Sequence, residues 1–462
     1  MRASTLKPHS GVLAATGLWI EPAAENCILD ARRMAFMVGK TERPAAQAKP
    51  DIAELLMASV IGLMLVFTVL FLCVMPLTDM AGKRDFVVYW ATGQQLVHHA
   101  NPYDQVAVMR IERSAGLPTE AGTLYMRNLP WSLPLALPLG LIGLRAGAFL
   151  WSLALLACLL VSVRILWRMH GRTRNYLPWL GVSFAPAIFC LTMGQTSLFA
   201  LLGYVLFLDL HRRRPFMAGI SLSLCALKPH LFLAFGVVLL AWIVVSRSYR
   251  ILAGAAAGLA ASCAAASYID PKAWIQYAQM MRTTGFVTEH VPCLSVALRL
   301  WLSPQTVAIT YLPVALGCIW ALGYFWSRRQ AWDWMKDGSL LMLVSLLTAP
   351  YSWVYDDSLA IPALLQGAYL TRSRILLGAL ALASVGIVSE LVCGAKISSA
   401  FYLWTAPAWL AWYLFACTPS AKWANAWPAL RAMKRFRASP KESSRESGAL
   451  EEKLGAEETP PQ

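Results

Sequence analysis

Charged residues are scarce in this chain of 462 residues. Asp, Glu, Lys and Arg together make up 14% of it, whereas 58% of the residues are hydrophobic and the mean hydropathy is +0.52. So few polar side chains cannot cover a soluble globule of this length, and the apolar residues form too many long runs for one membrane span. The composition therefore excludes a soluble protein and predicts a polytopic membrane protein.

Closely spaced cysteines are missing as well. The ten cysteines are scattered singly, most of them inside apolar runs, and the spacing Cys-x-x-Cys does not occur. This distribution argues against both a cysteine metal site and a disulfide framework. We interpret the cysteines as small residues that pack between helices.

Twelve apolar runs are long enough, or nearly long enough, to cross a bilayer. They lie near residues 55–77, 146–166, 176–193, 196–211, 214–228, 230–246, 250–268, 305–326, 338–350, 354–371, 373–393 and 400–417. A further run at 131–144 contains Pro134 and Pro138, and we expect it to be an interfacial or re-entrant piece. The sequence predicts an all-α bundle of about twelve transmembrane helices.

Both ends of the chain are polar. Residues 1–53 and 418–462 carry many basic residues, and the C-terminal end is rich in Glu, Ser and Pro, so neither segment can bury a core. We expect two largely disordered cytoplasmic tails around a transmembrane domain at 54–417. Within that domain, residues 78–131 are expected to form an outward-facing first loop.

The net charge of +15 tests this topology. With the N-terminus inside, most of the 40 Lys and Arg residues fall in the tails and the inner loops. Arg212-Arg213-Arg214 and Arg328-Arg329 fall in short inner loops, where the positive-inside bias is strongest. Topology and anionic inner-leaflet lipid therefore explain the charge. No nucleic-acid partner is expected, because the chain has neither a basic soluble module nor a basic patch interleaved with aromatic residues.

The same topology brings five polar segments to the outer face. They are the 78–131 loop with Arg84-Asp85, then Gly194-Gln195, Lys228-Pro229-His230, the 269–304 loop, and Tyr351 to Asp357. Because segments far apart in sequence meet on one side of the membrane, we expect a functional site there.

Several of these residues also have a purely structural interpretation. Asp85 could form an ordinary ion pair with Arg84. Lys228 follows an apolar helix and could simply extend its amine to the interface. Gln195 could cap the helix that follows it, and Gly194 could permit close packing of helices.

The remaining polar motifs have structural interpretations too. Asp356 and Asp357 are expected near the protein surface, where they could be carboxylates at a helix N-terminus that interact with the helix dipole. Asn101-Pro102-Tyr103-Asp104 is a favourable turn sequence, with proline at a preferred position.

The order of the motifs is more specific than any one of them. Along the chain they are Asp85-Phe86 with Tyr89, Asn101-Pro102-Tyr103-Asp104, Leu129-Pro130-Trp131 to Pro138-Leu139, Gly194-Gln195-Thr196-Ser197, Lys228-Pro229, Pro350-Tyr351-Ser352-Trp353 and Tyr355-Asp356. Over roughly residues 55–415 this order resembles glycosyltransferase family 87, the polyprenyl-phosphate-mannose-dependent α-mannosyltransferases of the GT-C superfamily. The chain departs from the family at Tyr125-Met-Arg-Asn-Leu-Pro130, where Tyr/Phe-x-Tyr-Pro-Pro is frequent, and it lacks the His pair that some members carry near Asp356.

The resemblance implies a GT-C-like helical bundle and an inverting sugar transfer. By motif match Asp85 is the expected general base, and fixed positive charge must stabilise the leaving phosphate. The residues expected to contact the donor phosphate are Lys228, Arg84 and His230. Those expected to contact the substrates are Tyr89, Asn101, Tyr103, Gln195, Asp356 and Asp357. No cofactor is expected; a divalent metal at Asp356-Asp357 is possible but not required.

The resemblance also implies the partners and the location. The donor is expected to be a polyprenyl-phosphate hexose, and the acceptor a lipid or a glycan, at the outer face of the plasma or inner membrane. A nucleotide-sugar donor is not expected, because the chain has no Gly-rich phosphate loop and no soluble domain.

Two other functions fit a polytopic chain. A transporter or flippase for a lipid-linked sugar would line a path through the membrane and would often carry an internal repeat. No clear repeat is visible, and the polar residues cluster on one face, which favours an enzyme. An O-antigen ligase or polymerase-like protein usually has its largest outer loop late in the chain, whereas here it follows the first span.

Overall fold

The computed structural model describes residues 52–74, 78–119, 124–171, 177–284, 291–371, 373–393 and 398–418. All the regular structure in these segments is helical, which confirms the prediction of an all-α membrane protein. Almost all residues of the two predicted cytoplasmic tails, 1–53 and 418–462, lie outside the described segments.

Eighteen α-helices follow one another in the described segments, with short 3₁₀ turns between several of them. The first nine are α1 (Ile52–Val74), α2 (Phe86–Val97), α3 (Gln105–Ser114), α4 (Leu133–Gly140), α5 (Leu144–Met169), α6 (Leu177–Val182), α7 (Ala185–Met193), α8 (Ser197–Leu210) and α9 (Pro215–Cys225). The others are α10 (Leu233–Ser246), α11 (Tyr249–Ile269), α12 (Ala273–Thr283), α13 (Leu294–Leu302), α14 (Leu312–Arg328), α15 (Asp337–Thr348), α16 (Ile361–Leu370), α17 (Arg374–Val392) and α18 (Thr405–Cys417).

Four helical segments of the described chain are long and apolar enough, by length and composition, to cross a membrane. They are Leu144–Met169, Pro229–Ser246, Tyr249–Ile269 and Val307–Ala331. Shorter apolar helices cover Ala58–Val74, Ser197–Leu210, Pro215–Cys225 and Asp337–Thr348. Each of the twelve predicted runs contains helix, and the number of about twelve spans stays a prediction.

The proline-rich run at 131–144 forms a 3₁₀ turn, Pro130–Ser132, and the eight-residue helix α4. A helix of this length rises only about 12 Å, which is less than half of the bilayer's apolar core. α4 packs with its backbone against α2, because a Cβ on Gly93 would lie 2.3 Å from the carbonyl oxygen of Ala136. This geometry agrees with the expected interfacial or re-entrant piece.

The predicted run at 176–193 is divided into α6 and α7. Pro186 lies in the first turn of α7, where its missing N–H breaks no helical hydrogen bond. α7 ends before Gly194, and α8 starts at Ser197. The end of α7 and the start of α8 therefore meet at the Gly194-Gln195 motif.

Helix α9 leads directly to Lys228 and is held very close to α11. A Cβ on Gly219 of α9 would lie 2.1 Å from the carbonyl oxygen of Ile251, and one on Gly254 of α11 would lie 2.0 Å from that of Phe216. Glycine at both positions permits this approach. The contact holds α9 against α11, and the last residue of α9, Cys225, lies three positions before Lys228.

Candidate active site

The motif Arg84-Asp85-Phe86 lies against the C-terminal end of α7. The helix is terminated by Gly194, whose φ of +78° is left-handed and suits glycine. A Cβ atom on Gly194 would lie 2.8 Å from the Cβ atom of Phe86. The predicted role of Gly194 in close packing is confirmed, because any larger residue would push the two segments apart.

Arg84 anchors the motif to α7. Its guanidinium donates to the carbonyl oxygens of Thr192 and Leu191, the latter at 2.6 Å, and it lies 3.3 Å from the hydroxyl of Ser152. The last carbonyls of a helix have no partner within the helix, so a cation there satisfies them and interacts with the helix dipole. Arg84 is only 2% exposed, and burial lowers its pKa to about 10, so it stays protonated at neutral pH. This placement suits an anchor better than a contact to a donor phosphate.

Asp85 is oriented by Gln195. The side-chain amide of Gln195 donates to the Asp85 carboxylate at 2.8 Å, and its carbonyl oxygen accepts from the hydroxyl of Tyr89 at 3.2 Å. Gln195 therefore does not cap α8, whose N-terminus has no side-chain cap. It connects two residues of the first loop to the α7–α8 junction.

The Asp85 carboxyl group is partly accessible and has a perturbed pKa. Burial raises the pKa of Asp85, while the hydrogen bond from Gln195 and the positive charges of Lys228 and Arg84 act in the opposite direction. The charges of Asp85 and Lys228, which are far apart in sequence, therefore act on each other. A carboxylate with a raised pKa is a stronger base than one in water.

Lys228 forms a buried ion pair with Asp356. The ammonium group lies 2.6 Å from the Asp356 carboxylate, and the two side chains are 9% and 1% exposed. The ammonium nitrogen also lies 4.7 Å from the centroid of the Tyr355 ring. An ammonium group has three N–H donors, so a buried lysine held in this way can still donate to a substrate.

Asp356 is also fixed by hydrogen bonds from its own neighbourhood. Its carboxylate accepts from the hydroxyl of Ser197 at 2.5 Å and from the backbone N–H of Trp353 at 2.9 Å. The second bond caps the 3₁₀ turn Val354–Ala360, in line with the helix N-terminal interpretation. Ser197 joins this carboxylate to the Gly194–Ser197 motif.

Asp357 makes contacts that differ from those of Asp356. Its carboxylate accepts from the indole N–H of Trp409 at 3.0 Å. The expectation that both carboxylates lie near the surface is wrong, because Asp356 is 0% and Asp357 1% exposed. Hydrogen bonds from protein donors permit this burial. The part of the chain that the structure describes contains no group of three or more His, Cys, Asp or Glu placed to hold a metal ion.

His230 lies two residues beyond Lys228. Its ring stacks on that of Tyr351, with centroids 3.8 Å apart and an interplanar angle of 20°. Within the described residues its Nε2 atom is buried and has no hydrogen-bond partner. Since buried polar atoms are normally paired, this nitrogen is available to a ligand.

Asn101 and Tyr103 support the site from outside it. The Asn101 side chain accepts from the backbone N–H of Tyr103 at 2.9 Å, as the turn motif predicts. Tyr103 is buried, and its hydroxyl donates to the carbonyl oxygen of Asn128 at 3.2 Å. The side-chain amide of Asn128 in turn donates to the carbonyl oxygen of Leu227 at 3.1 Å. This chain of contacts ends next to Lys228.

Sequence reasoning missed three residues of the site. The indole of Trp151 donates to the carbonyl oxygen of Gly194 at 2.7 Å, and its ring packs 5.4 Å from that of Tyr89. A tryptophan in the apolar helix α5 gives no signal of this role. Tyr355, which faces Lys228, and Ser197 were noted only as parts of motifs.

Comparison with known proteins gives one result. A search of curated proteins and a search of solved structures each return no match. The family model described as glycosyltransferase family 87 matches residues 129–350, a segment that includes Gln195 and Lys228. This segment is therefore similar to glycosyltransferase family 87, and the similarity supports a membrane glycosyltransferase.

Proposed function

We propose that the protein transfers a hexose, mannose according to the family resemblance, from a polyprenyl-phosphate sugar to a lipid or glycan acceptor. The reaction takes place at the outer face of the plasma or inner membrane, and both termini are cytoplasmic. The observation that carries the proposal is the partly accessible Asp85 carboxylate, held at 2.8 Å by Gln195 and influenced by the charge of Lys228.

The proposed reaction is a single displacement at the anomeric carbon. The acceptor oxygen forms a bond to that carbon while the bond from the carbon to the phosphate oxygen breaks. The acceptor proton passes to the Asp85 carboxylate, and the polyprenyl phosphate leaves with the electron pair of the broken bond. Proton transfer comes late, because an oxocarbenium-like transition state makes the acceptor hydroxyl acidic only as its oxygen attacks.

Lys228 is the proposed partner of the departing phosphate. It is a compact cation with several donors, which suits a contact to a phosphate oxygen. Asp356 holds the ammonium group in place through the 2.6 Å contact. His230 is the second candidate, because its Nε2 atom has no hydrogen-bond partner among the described residues. A divalent metal is not required by this scheme.

The other predicted residues take different roles in the proposal. Tyr89 and Gln195 orient Asp85 through their hydrogen bonds. Arg84 holds the motif on α7, while Asn101 and Tyr103 support the segment that precedes Lys228. Their effect on substrate binding is therefore indirect.

Replacing Asp85 with Asn tests the proposal. The change is nearly isosteric, so transfer should fall by at least about 10²-fold while the protein still inserts and folds. The measurement is the formation of labelled product by the reconstituted protein from radiolabelled polyprenyl-phosphate-mannose and a panel of acceptors. Undiminished product would remove Asp85 as the base.

A matched control lies in the same loop. The Asp104 carboxylate caps α3 by accepting from the backbone N–H groups of Val106 and Ala107. Asn caps a helix about as well as Asp, so Asp104→Asn should retain full activity. A transporter would instead move the label across the vesicle membrane and form no covalent product.

A further inference from the structure

A small cavity lies next to Tyr351, the residue that stacks on His230. It has a volume of about 50 Å³ and is lined mainly by apolar side chains, together with Arg299 of α13 and Thr310. One water molecule needs about 10–15 Å³ measured in this way, so the space is sufficient for a group as large as a phosphate. Pro350 and Tyr351 also line the cavity.

Arg299 brings a guanidinium group to the lining of this cavity. The side chain is 1% exposed, and a guanidinium does not lose its proton in a protein. It presents five N–H donors in a planar fork, so it can bind a protein group with one edge and a tetrahedral anion with the other. In apolar surroundings a fixed charge attracts an anion much more strongly than it would in water.

Thr310 supplies an independent indication of a ligand. It is 7% exposed, and its hydroxyl is buried without a hydrogen-bond partner among the described residues. Leaving a buried hydroxyl unpaired is unfavourable, and a hydrogen bond to a ligand oxygen would remove this cost. A buried cation and an open hydroxyl in one small cavity match the oxygens of a phosphate group.

The cavity is distinct from the Lys228 position. The Tyr351 ring lines the cavity and stacks at 3.8 Å on His230, which lies two residues from Lys228. Lys228 itself is not among the described residues that line the cavity. Tyr311, which also lines the cavity, is 55% exposed.

We propose that this cavity is a second anion subsite, which binds a phosphate ester in the head of a lipid substrate. The inference rests on the proposed transfer from a lipid-linked sugar, and it adds a recognition element beyond Lys228. Both the donor and an anionic lipid acceptor offer the required group. The apolar walls, among them Val296 and Val307, suit the lipid portion next to that group.

Binding measurements test the subsite without any need for turnover. The purified protein is titrated with a polyprenyl phosphate, phosphatidylglycerol and inorganic phosphate, with a neutral polyprenol and phosphatidylcholine as uncharged controls. Arg299→Gln should weaken binding of the recognised anion about 10- to 100-fold, the usual value of a charged hydrogen bond. Arg299→Lys should recover part of the affinity. The probe whose binding is lost identifies the source of the phosphate.

Kinetic measurements complete the test. Arg299→Gln should raise KM for either the donor or the acceptor about tenfold or more, with a smaller change in kcat, and Thr310→Val should shift the same KM in the same direction. Arg328→Gln is the control, because the Arg328 guanidinium binds Asp337 at 2.9 Å and does not line the cavity.

The outcomes separate this proposal from the proposed function. Unchanged affinities and unchanged KM values in both cavity variants would overturn the subsite even if transfer is observed. Loss of anion binding in Arg299→Gln supports the subsite even if no transfer product forms. Since Thr310→Val is nearly isosteric, it keeps the test decisive if Arg299→Gln does not fold.

Discussion

At the scale of single residues, Gln195 determines how the Asp85 carboxylate is used. Its amide bonds Asp85 on one side and Tyr89 on the other, so the carboxylate is held in one orientation. A hydrogen bond to the ionised form favours that form and lowers the pKa. Gln195 thus opposes the effect of burial, which raises the pKa of Asp85.

Replacing Gln195 with Leu should change both the rate and its pH dependence. The loss of orientation should reduce kcat by up to about 10²-fold. Without the hydrogen bond the pKa of Asp85 rises further, and a base is active only when it is deprotonated. The fall of kcat/KM on the acid side should therefore move to higher pH, which a series of transfer assays at different pH values measures.

The control for this change is Gln94→Leu. Gln94 also donates a side-chain amide hydrogen bond, at 2.8 Å to the carbonyl oxygen of Gly140, away from the carboxylate. Its loss should lower stability and leave the pH profile in place. The same shift of profile in both variants, or no shift in Gln195→Leu, would contradict the assigned role of Gln195.

Glu112 is a second buried carboxyl group in the first loop. It is 0% exposed; one oxygen accepts from the backbone N–H of Leu124 at 3.3 Å, and the other has no partner among the described residues. Burial raises its pKa from 4.5 to about 7. The folded protein therefore keeps this proton at a pH where the unfolded chain has lost it.

Glu112→Gln should stabilise the protein at pH 8 more than at pH 5. Between pH 4.5 and 7 the folded state binds more protons than the unfolded state at this position, so stability falls as pH rises. Gln removes this dependence, and its advantage should grow by about 2–3 kcal/mol between the two pH values. Thermal unfolding of both proteins in detergent at pH 5 and pH 8 measures the difference. An equal difference at both pH values would show that Glu112 does not retain its proton.

The sequence predicted which residues gather at the site more successfully than what each of them does. Asp85, Gln195, Lys228 and Asp356 were all expected on one face. Arg84 binds carbonyl groups at the end of α7, more than a hundred residues away in sequence. No local sequence pattern reveals such a partner. The different surroundings of Asp356 and Asp357 likewise depend on tertiary packing.

At the scale of secondary structure elements, the site depends on the break that ends α7. The helix stops at Gly194 in the left-handed region, and this exposes its last carbonyls to Arg84 and brings Gln195 beside Asp85. The apolar pattern of 176–193 predicted one continuous span. Hydropathy does not register a break where both pieces remain apolar, and only Pro186 and Gly194 indicate it.

Gly194→Ala should separate the first loop from α7. The new Cβ would lie 2.8 Å from Phe86 at a φ of +78°, so strain and overlap should lower stability by about 1–3 kcal/mol and reduce transfer. Gly171→Ala is the control, because Gly171 has a φ of +76° with no atom within 4 Å of the added Cβ. Unfolding midpoints and transfer rates of both variants separate conformational strain from overlap. Equal effects of the two changes would contradict the packing role of Gly194.

At the scale of the whole molecule, the distribution of charge and hydropathy along the sequence predicts the side of the membrane on which each loop lies. The packing of the helices does not alter this prediction. The basic residues Arg212–Arg214 follow α8, at the side predicted to be cytoplasmic. Asp85 lies at the start of α2, on the opposite side in the same prediction. Whether Asp85 and Arg212–Arg214 lie on opposite sides depends on whether the 131–144 run crosses the membrane.

Labelling of single introduced cysteines tests this parity. Ala100 is exposed, and the Arg213 side chain is 67% exposed. Three predicted spans separate the two positions, so they should lie on opposite sides. In intact cells a membrane-impermeant maleimide should label Ala100→Cys and not Arg213→Cys, and permeabilised cells should show both. The unsubstituted chain, with its ten native cysteines, gives the background.

Two labelling results would contradict the predicted topology, and each would have a different meaning. Labelling of both positions from the same side would mean that the 131–144 run crosses the membrane, although α4 spans only about 12 Å of an apolar core of about 30 Å. Labelling of Arg213→Cys alone would invert the whole chain and place Asp85 in the cytoplasm. The proposed reaction at the outer face requires the third pattern, in which Ala100→Cys alone is labelled in intact cells.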